Sequence, residues 1–251
     1  MRTFSLFLFV MLNSSFWLMA NPDDEFTKAN NAYMAGFYGN AITIYEGILN
    51  GGLESADLYY NLGNAYFKND EIAKAILNYE RALRLNPGNE DYKYNLRIAN
   101  DKLVDKIDSI PELFYIKWWK SVKYLLSPNA WAKLALFSFS LVFIFIAIFL
   151  LSRTALLKRV FFYSGLVLIT LHLLSGIFAW QAWNEAKKKN AAIVFLPSMP
   201  VKSSPDENSI DLFVVHEGLK VQILDKIGDW VEIRINNGSK GWVKAENLER
   251  I

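Results

Sequence analysis

The spacing of hydrophobic positions changes twice along this chain. Residues 22–107 carry apolar side chains at helical spacing, residues 134–152 and 160–184 form two long apolar runs, and from residue 191 apolar and polar positions alternate. The pattern predicts a multidomain fold class: all-α helical repeats, a two-helix transmembrane hairpin and a small all-β barrel.

The two apolar runs contain no Asp, Glu, Lys or Arg. A helix of about 20 residues, rising about 1.5 Å per residue, crosses a hydrocarbon core roughly 30 Å thick. We predict transmembrane helices over residues 132–152 and 160–183, joined by a loop at 153–159. Two crossings return the chain to the side that it left, so the segments before and after the hairpin share one compartment.

Residues 1–20 have the pattern of a secretory signal peptide. Arg2 supplies a positive charge, residues 4–12 are apolar, and cleavage is expected after Ala20, with an uncleaved anchor as the alternative. The loop at 153–159 holds three basic residues and no acidic one, which places it in the cytoplasm. We therefore expect a protein of the bacterial inner (cytoplasmic) membrane, with the domains on both sides of the hairpin outside the cytoplasm.

The predicted linker at residues 108–131 mixes aromatic and basic side chains. Its lysines are interspersed with large aromatic residues that include Trp118, Trp119, Tyr124 and Trp131. Aromatic rings and long basic side chains suit the lipid headgroup layer, so this segment predicts a helix lying along the membrane surface. The alternative is an ordinary linker, as we also expect for residues 184–190.

A repeated helical unit precedes the membrane runs. Its signature residues are Tyr59, Leu62, Gly63, Tyr66, Ala75, Tyr79, Ala82 and Pro87. Gly63 would let a second helix approach the first closely, and Pro87 would end that second helix. These residues resemble the tetratricopeptide repeat (TPR), which implies pairs of helices that stack on neighbouring pairs.

Further copies of this unit lie within residues 22–107. Phe26, Ala29 and Tyr33 match Tyr59, Leu62 and Tyr66 at a shift of 33 residues, whereas Ala41, Tyr45 and Ile48 match second-helix positions at a shift of 34. We therefore predict that the first copy lacks one residue in its inter-helix turn. The letters YNL recur at 94–96, and we predict that residues 91–106 form a closing helix.

The TPR resemblance implies a concave protein-binding surface built from the first helices of the repeats. Carried onto this chain, that surface comprises Asn31, Met34, Tyr60, Asn64 and Phe67.

Residues 191–251 predict a small β-barrel. Alternation at 219–224 and 230–235 marks strands, and Asn236-Asn237-Gly238 marks a hairpin turn. The segments at 201–205, 217–221, 228–231 and 238–243 resemble a bacterial SH3-like (SH3b) domain. The resemblance implies binding of peptides or cell-wall material outside the cytoplasm. Trp230 and Trp242 would line a peptide groove; the alternative is that they plug the ends of the barrel.

Composition narrows the class of function. The 251 residues include no cysteine, which excludes disulfides, thiolate nucleophiles and thiolate metal sites. A net charge of +2 with scattered lysines argues against nucleic-acid binding. His172 and His216 lack zinc-type spacing, and we find no nucleotide-binding or nucleophile motif. We expect no enzyme activity, no cofactor and no metal. His172, inside the second span, either has a function there or is a neutral, hydrogen-bonded side chain.

The complete order of segments resembles the BatE family, the TPR-containing members of the Bat aerotolerance cluster of bacterial membrane proteins. The resemblance implies a non-catalytic scaffold or adaptor of an envelope complex linked to stress or oxygen tolerance. Its expected partners are other membrane proteins of a Bat-type complex and the cell wall. The alternative is a peptidoglycan-binding sensor that acts through the SH3-like module.

Overall fold

The fold is that of a computed structural model, which describes residues 22–107, 111, 113–187 and 190–251. The predicted signal peptide at 1–20 lies outside the described residues. The chain divides into two compact units between Glu54 and Ser55, and each unit is described by itself.

The first unit contains one pair of helices, α1 (Pro22–Met34) and α2 (Tyr38–Asn50). Ala29, Ala41 and Tyr45 are buried where the two helices pack. Gly36 reverses the chain between them with a φ of 82°, a conformation that suits glycine.

The second unit begins with three helices, α3 (Ala56–Lys68), α4 (Ile72–Leu85) and α5 (Glu90–Asn100). The Ser55 hydroxyl caps α3 by accepting a hydrogen bond from the Leu58 amide at 3.1 Å. A Cβ at Gly63 would lie 2.7 Å from the Tyr79 ring. The close approach of α3 and α4 therefore requires glycine at this position, as the repeat pattern predicts.

The structure corrects the alignment of the two helix pairs. In each pair, a tyrosine of the second helix donates its hydroxyl to an asparagine of the first helix: Tyr45 to Asn30, and Tyr79 to Asn64. The same tyrosine packs on the aromatic ring four residues before that asparagine, which is Phe26 in the first pair and Tyr60 in the second. The two sets are related by 34 residues at every position. The predicted loss of one residue in the first turn is wrong, because Phe26 occupies the place of Tyr60 and not that of Tyr59.

Three further helices follow, α6 (Phe114–Lys123), α7 (Pro128–Leu151) and α8 (Ala155–Lys187). Only residues 152–154 separate α7 from α8, so the helices extend beyond the predicted spans and into the predicted loop. No Gly or Pro stands at 155–159, and the leucines there favour helix.

Helices α7 and α8 are long and apolar enough to cross a membrane, by length and composition. Only 6% of each apolar window is buried, whereas a core helix of a soluble protein would be mostly covered. His172 Nδ1 donates a hydrogen bond to the Ala135 carbonyl at 3.0 Å, so this histidine joins α8 to α7.

Residues 191–251 form an antiparallel sheet with the strand order β3-β2-β6-β5-β4-β1-β7. Its strands are β1 (Ala191–Val194), β2 (Ser198–Lys202), β3 (Asp211–His216), β4 (Lys220–Ile227), β5 (Trp230–Arg234), β6 (Lys240–Lys244) and β7 (Leu248–Arg250). Val201, Val221 and Ile233 are among the residues of its apolar core. The predicted fold class, with helical repeats, two apolar helices and an SH3-like domain, is confirmed.

Candidate protein-binding surfaces

The predicted TPR surface on α1 is open to solvent. Asn31 and Met34 lie three residues apart on the same face of the helix, and Met34 is 83% exposed. Methionine is flexible and polarisable, so an exposed methionine suits a surface that adapts to a partner.

On α3, the predicted surface residues have a different setting. Asn64 Oδ1 accepts hydrogen bonds from the Tyr79 hydroxyl at 2.8 Å and from Asn95 Nδ2 at 2.8 Å. Asn95 also donates to the Tyr60 hydroxyl at 2.9 Å, and the Tyr60 ring stacks on Tyr92 with centroids 4.6 Å apart. Tyr60 and Asn64 thus connect α3, α4 and α5, and their part in partner binding stays a prediction.

Phe67 lies on the same face of α3, half-buried, with Lys102 Nζ 4.7 Å from the centre of its ring. A cation over an aromatic ring is weakly attractive when both are exposed. A partner at Phe67 would therefore meet both an apolar and a positive group.

Tyr92 on α5 packs beside Tyr60 and joins the contacts between α3 and α5. Burial and a hydrogen bond to the Asp57 carboxylate raise the pKa of Tyr92 well above its ordinary value. Its hydroxyl therefore stays protonated and donates to Asp57, which joins α5 to the first turn of α3.

Trp230 and Trp242 lie on the outer face of the SH3-like sheet. In the β5–β6 ladder, Val231 pairs with Val243 in the core, whereas Trp230 pairs with Lys244 and Trp242 with Glu232. Successive side chains of a strand point to opposite faces, so both tryptophans point away from the core. They are half-buried on the surface, and their part in ligand binding stays a prediction.

Apolar side chains from the neighbouring strands extend this tryptophan face. Lys202 on β2 is paired with Trp242, and Pro200 precedes it with an exposed ring. Leu212 and Val214 on the adjacent β3 are about half exposed. An aromatic and aliphatic surface with Lys202, Glu232 and Lys244 beside the tryptophans suits an extended peptide that offers both apolar and charged groups.

The SH3-like barrel packs on α4. Lys220 Nζ lies 2.6 Å from Glu80 Oε2, and Arg81 forms an ion pair of 2.9 Å with Glu249. Arg84 donates to the main-chain oxygen of Ile251 at 2.8 Å. The barrel and the end of the chain therefore contact α4, the second helix of the pair that begins at Ala56.

The segment after α5 continues this contact. Asp105 accepts hydrogen bonds from the His216 amide at 2.7 Å and from His216 Nδ1 at 2.8 Å. A Cβ at Gly218 would collide with Leu103, and the φ of 87° at Gly218 also favours glycine. We call the contacts of α4 and residues 103–107 with the barrel the TPR–SH3 junction. No sequence spacing marks the contact between Asp105 and His216, because the two residues lie 111 positions apart.

Within the part of the chain that the structure describes, no group of three or more His, Asp or Glu side chains is placed to hold a metal ion. The arrangement on these surfaces supports binding through apolar, aromatic and hydrogen-bonding groups.

Comparisons with known proteins agree with these two modules. A search of curated proteins gives no match. Residues 56–89 match the family model of the tetratricopeptide repeat, and residues 197–249 match that of the bacterial SH3 domain.

Proposed function

We propose that this chain is a non-catalytic, membrane-anchored scaffold of a bacterial envelope complex. The TPR helices would hold one partner protein, and the tryptophan face of the SH3-like module would hold a second protein or the cell wall. Each match is to a module that suggests protein–protein or cell-wall interaction.

The TPR–SH3 junction is the observation that carries this proposal. Residues 80–105 contact residues 216–249, although both apolar helices lie between them in the sequence. Two parts of a chain that touch must lie on the same side of a membrane. The contact therefore supports an even number of crossings, as a hairpin of α7 and α8 makes.

Anchoring both modules at one membrane has a direct consequence for affinity. A partner held by one surface meets the other at an effective concentration in the millimolar range, so two weak contacts give firm retention. A scaffold needs no catalytic group for this role.

The order of modules resembles that of the BatE family. On that resemblance we propose the inner membrane as the location, with both modules outside the cytoplasm, and membrane proteins of a Bat-type complex as partners. A role in aerotolerance or stress would follow from the assembly of that complex.

The outward position of Trp230 and Trp242 favours one second candidate, a sensor that binds peptidoglycan through the tryptophan face. Only residues 152–154 separate α7 from α8. A signal would therefore have to pass through a partner in the membrane.

Photocrosslinking in cells tests the scaffold. A photoreactive amino acid replaces Met34 on α1 or Trp242 on β6; matched controls carry it at Glu54 and at Asn237, which are also exposed. We expect membrane proteins to crosslink at Met34 and Trp242 and not at the controls. Crosslinks to peptidoglycan alone, at Trp242 alone, would favour the sensor; equal crosslinking at test and control positions would overturn both.

A further inference from the structure

Helix α6 is attached to the end of the hairpin by a buried polar contact. Lys123 Nζ lies 2.6 Å and 2.7 Å from the two Glu185 oxygens on α8, and Lys123 is only 2% exposed. Trp119 Nε1 donates to Gln181 Oε1 at 3.0 Å, and Trp131 Nε1 donates to the Lys123 carbonyl at 2.7 Å. One face of α6 is therefore fixed against α7 and α8.

The opposite face of α6 is apolar and uncovered. Phe114 is 85% exposed, and Trp118, one turn later on the same face, is 64% exposed. Leu125, just beyond the helix, is 71% exposed. Neighbouring exposed side chains of this size mark a surface that has a partner.

The charges around this face identify the kind of partner. Residues 113–133 hold four lysines and no Asp or Glu. Lys123 is neutralised by Glu185, whereas Lys117 is exposed next to Trp118. A helix with an apolar face flanked by lysines binds a surface that is apolar inside and negative at its edge.

The position of α6 fits that surface. Ser127 caps α7 only four residues after α6 ends, so α6 lies beside the point where an apolar span begins. At this depth a bilayer changes from acyl chains to headgroups, where tryptophan rings are stable.

We infer that the outer face of α6 binds anionic phospholipid in the leaflet where the hairpin emerges. Phe114, Trp118 and Leu125 enter the boundary between headgroups and acyl chains, and Lys117 contacts the negative headgroups. The Lys123–Glu185 ion pair positions the helix for this contact. The inference rests on the proposed membrane location of the hairpin.

The test uses the full chain, which contains no cysteine, so that a single introduced cysteine carries the only fluorescent label. Ser121→Cys places the label on the outer face of α6 without removing an aromatic residue. Phe143→Cys places it on α7, and Val104→Cys places it on an exposed site of the TPR–SH3 junction. The proteins are reconstituted into vesicles of phosphatidylcholine with phosphatidylglycerol.

We expect spin-labelled lipids to quench the labels at 121 and 143, and aqueous iodide to quench only the label at 104. Spin-labelled phosphatidylglycerol should quench position 121 more than spin-labelled phosphatidylcholine. Each lysine near a negative surface contributes about a fivefold preference. Lys117→Gln should therefore reduce the preference about fivefold, whereas the matched control Lys226→Gln, on the exposed end of β4, should leave it unchanged.

Three outcomes would overturn the inference. Iodide quenching at 121 with lipid quenching at 143 would place α6 in water while leaving the hairpin in the membrane. Shielding of 121 from both quenchers would mean that a protein covers α6. Equal quenching by both lipids would remove the anionic preference. Loss of lipid quenching at 143 would instead reject the membrane location itself, and the proposed function with it.

Discussion

Replacement of Asn64 by alanine provides the most direct test of how the repeat helices are held together. The substitution removes the acceptor of the Tyr79 hydroxyl, and Tyr79 is only 1% exposed, so water does not replace the lost bond. Loss of a hydrogen-bond partner from a buried polar group costs about 1–3 kcal/mol. Asn95 loses one bond but keeps Tyr60, so we expect a total of about 2 kcal/mol, or roughly 30-fold in the opening equilibrium.

Hydrogen exchange of the full chain measures this loss locally, because opening of α3 and α4 exposes their amides. Asn64→Ala should reduce their protection by about 30-fold. Asn30→Ala, at the equivalent place in the first pair, should reduce protection in α1 and α2, since it removes the acceptor of Tyr45. Asn31→Ala, one residue further on and exposed, should change protection by less than about 0.5 kcal/mol.

A double variant separates the hydrogen bond from general damage. In Tyr79→Phe the hydroxyl is absent, so the further change Asn64→Ala should cost less than it does alone. Equal protection of the α3 and α4 amides in the Asn64→Ala and Asn31→Ala variants would refute the reasoning. The result also bears on binding assays, because loss of a partner after Asn64→Ala would reflect unfolding, whereas changes at Met34 leave the helix contacts intact.

Three further predictions concern the two apolar helices and the TPR–SH3 junction. Glu185→Ala leaves the buried Lys123 without its partner; because Glu185 is partly exposed and screened by water, we expect a loss of about 1–3 kcal/mol in the attachment of α6, measured as faster proteolysis of residues 113–126. Lys123→Met in addition should restore resistance, and unchanged proteolysis in the single variant would contradict the contact. Asp105→Ala leaves the His216 amide without its acceptor and should destabilise the TPR–SH3 junction by about 1–3 kcal/mol. We expect faster hydrogen exchange in β3 and β4 but not in α1, and unchanged exchange in β3 and β4 would mean that the junction does not hold the barrel. In intact spheroplasts, an impermeant maleimide should label cysteines introduced at Glu54 and Ser239 and not one at Thr154, and labelling at Thr154 alone would reverse the topology.

Sequence patterns were sufficient to predict the elements that are set by contacts between residues close together in the chain. The spacing around Gly63 predicted the close helix pair, and alternation with a turn at Asn236-Asn237-Gly238 predicted the barrel. The predicted alignment of the first repeat was wrong because residue type alone does not show whether Phe26 corresponds to Tyr59 or to Tyr60. The contact between the Phe26 and Tyr45 rings shows that it corresponds to Tyr60.

The surface position of the tryptophans was within reach of the sequence. Val231, Ile233 and Val243 supply the core alternation, and Trp230 and Trp242 fall out of phase with it. The TPR–SH3 junction was not within reach, because Asp105 and His216 lie 111 residues apart in the sequence, with both apolar helices between them. The sequence alone predicts Tyr60 and Asn64 as surface residues, since nothing local marks their bonds to Asn95.

The TPR–SH3 junction also orders the steps by which the molecule matures. In the proposed topology, synthesis completes α4 long before β1, so the barrel-facing side of α4 stays uncovered until both apolar helices have inserted. A hairpin inserted with one crossing would leave the barrel on the wrong side, with Leu103 and Ile76 deprived of Gly218 as a neighbour. Such a molecule would display an unfinished apolar surface to proteases, so closure of the junction marks the chains whose insertion succeeded.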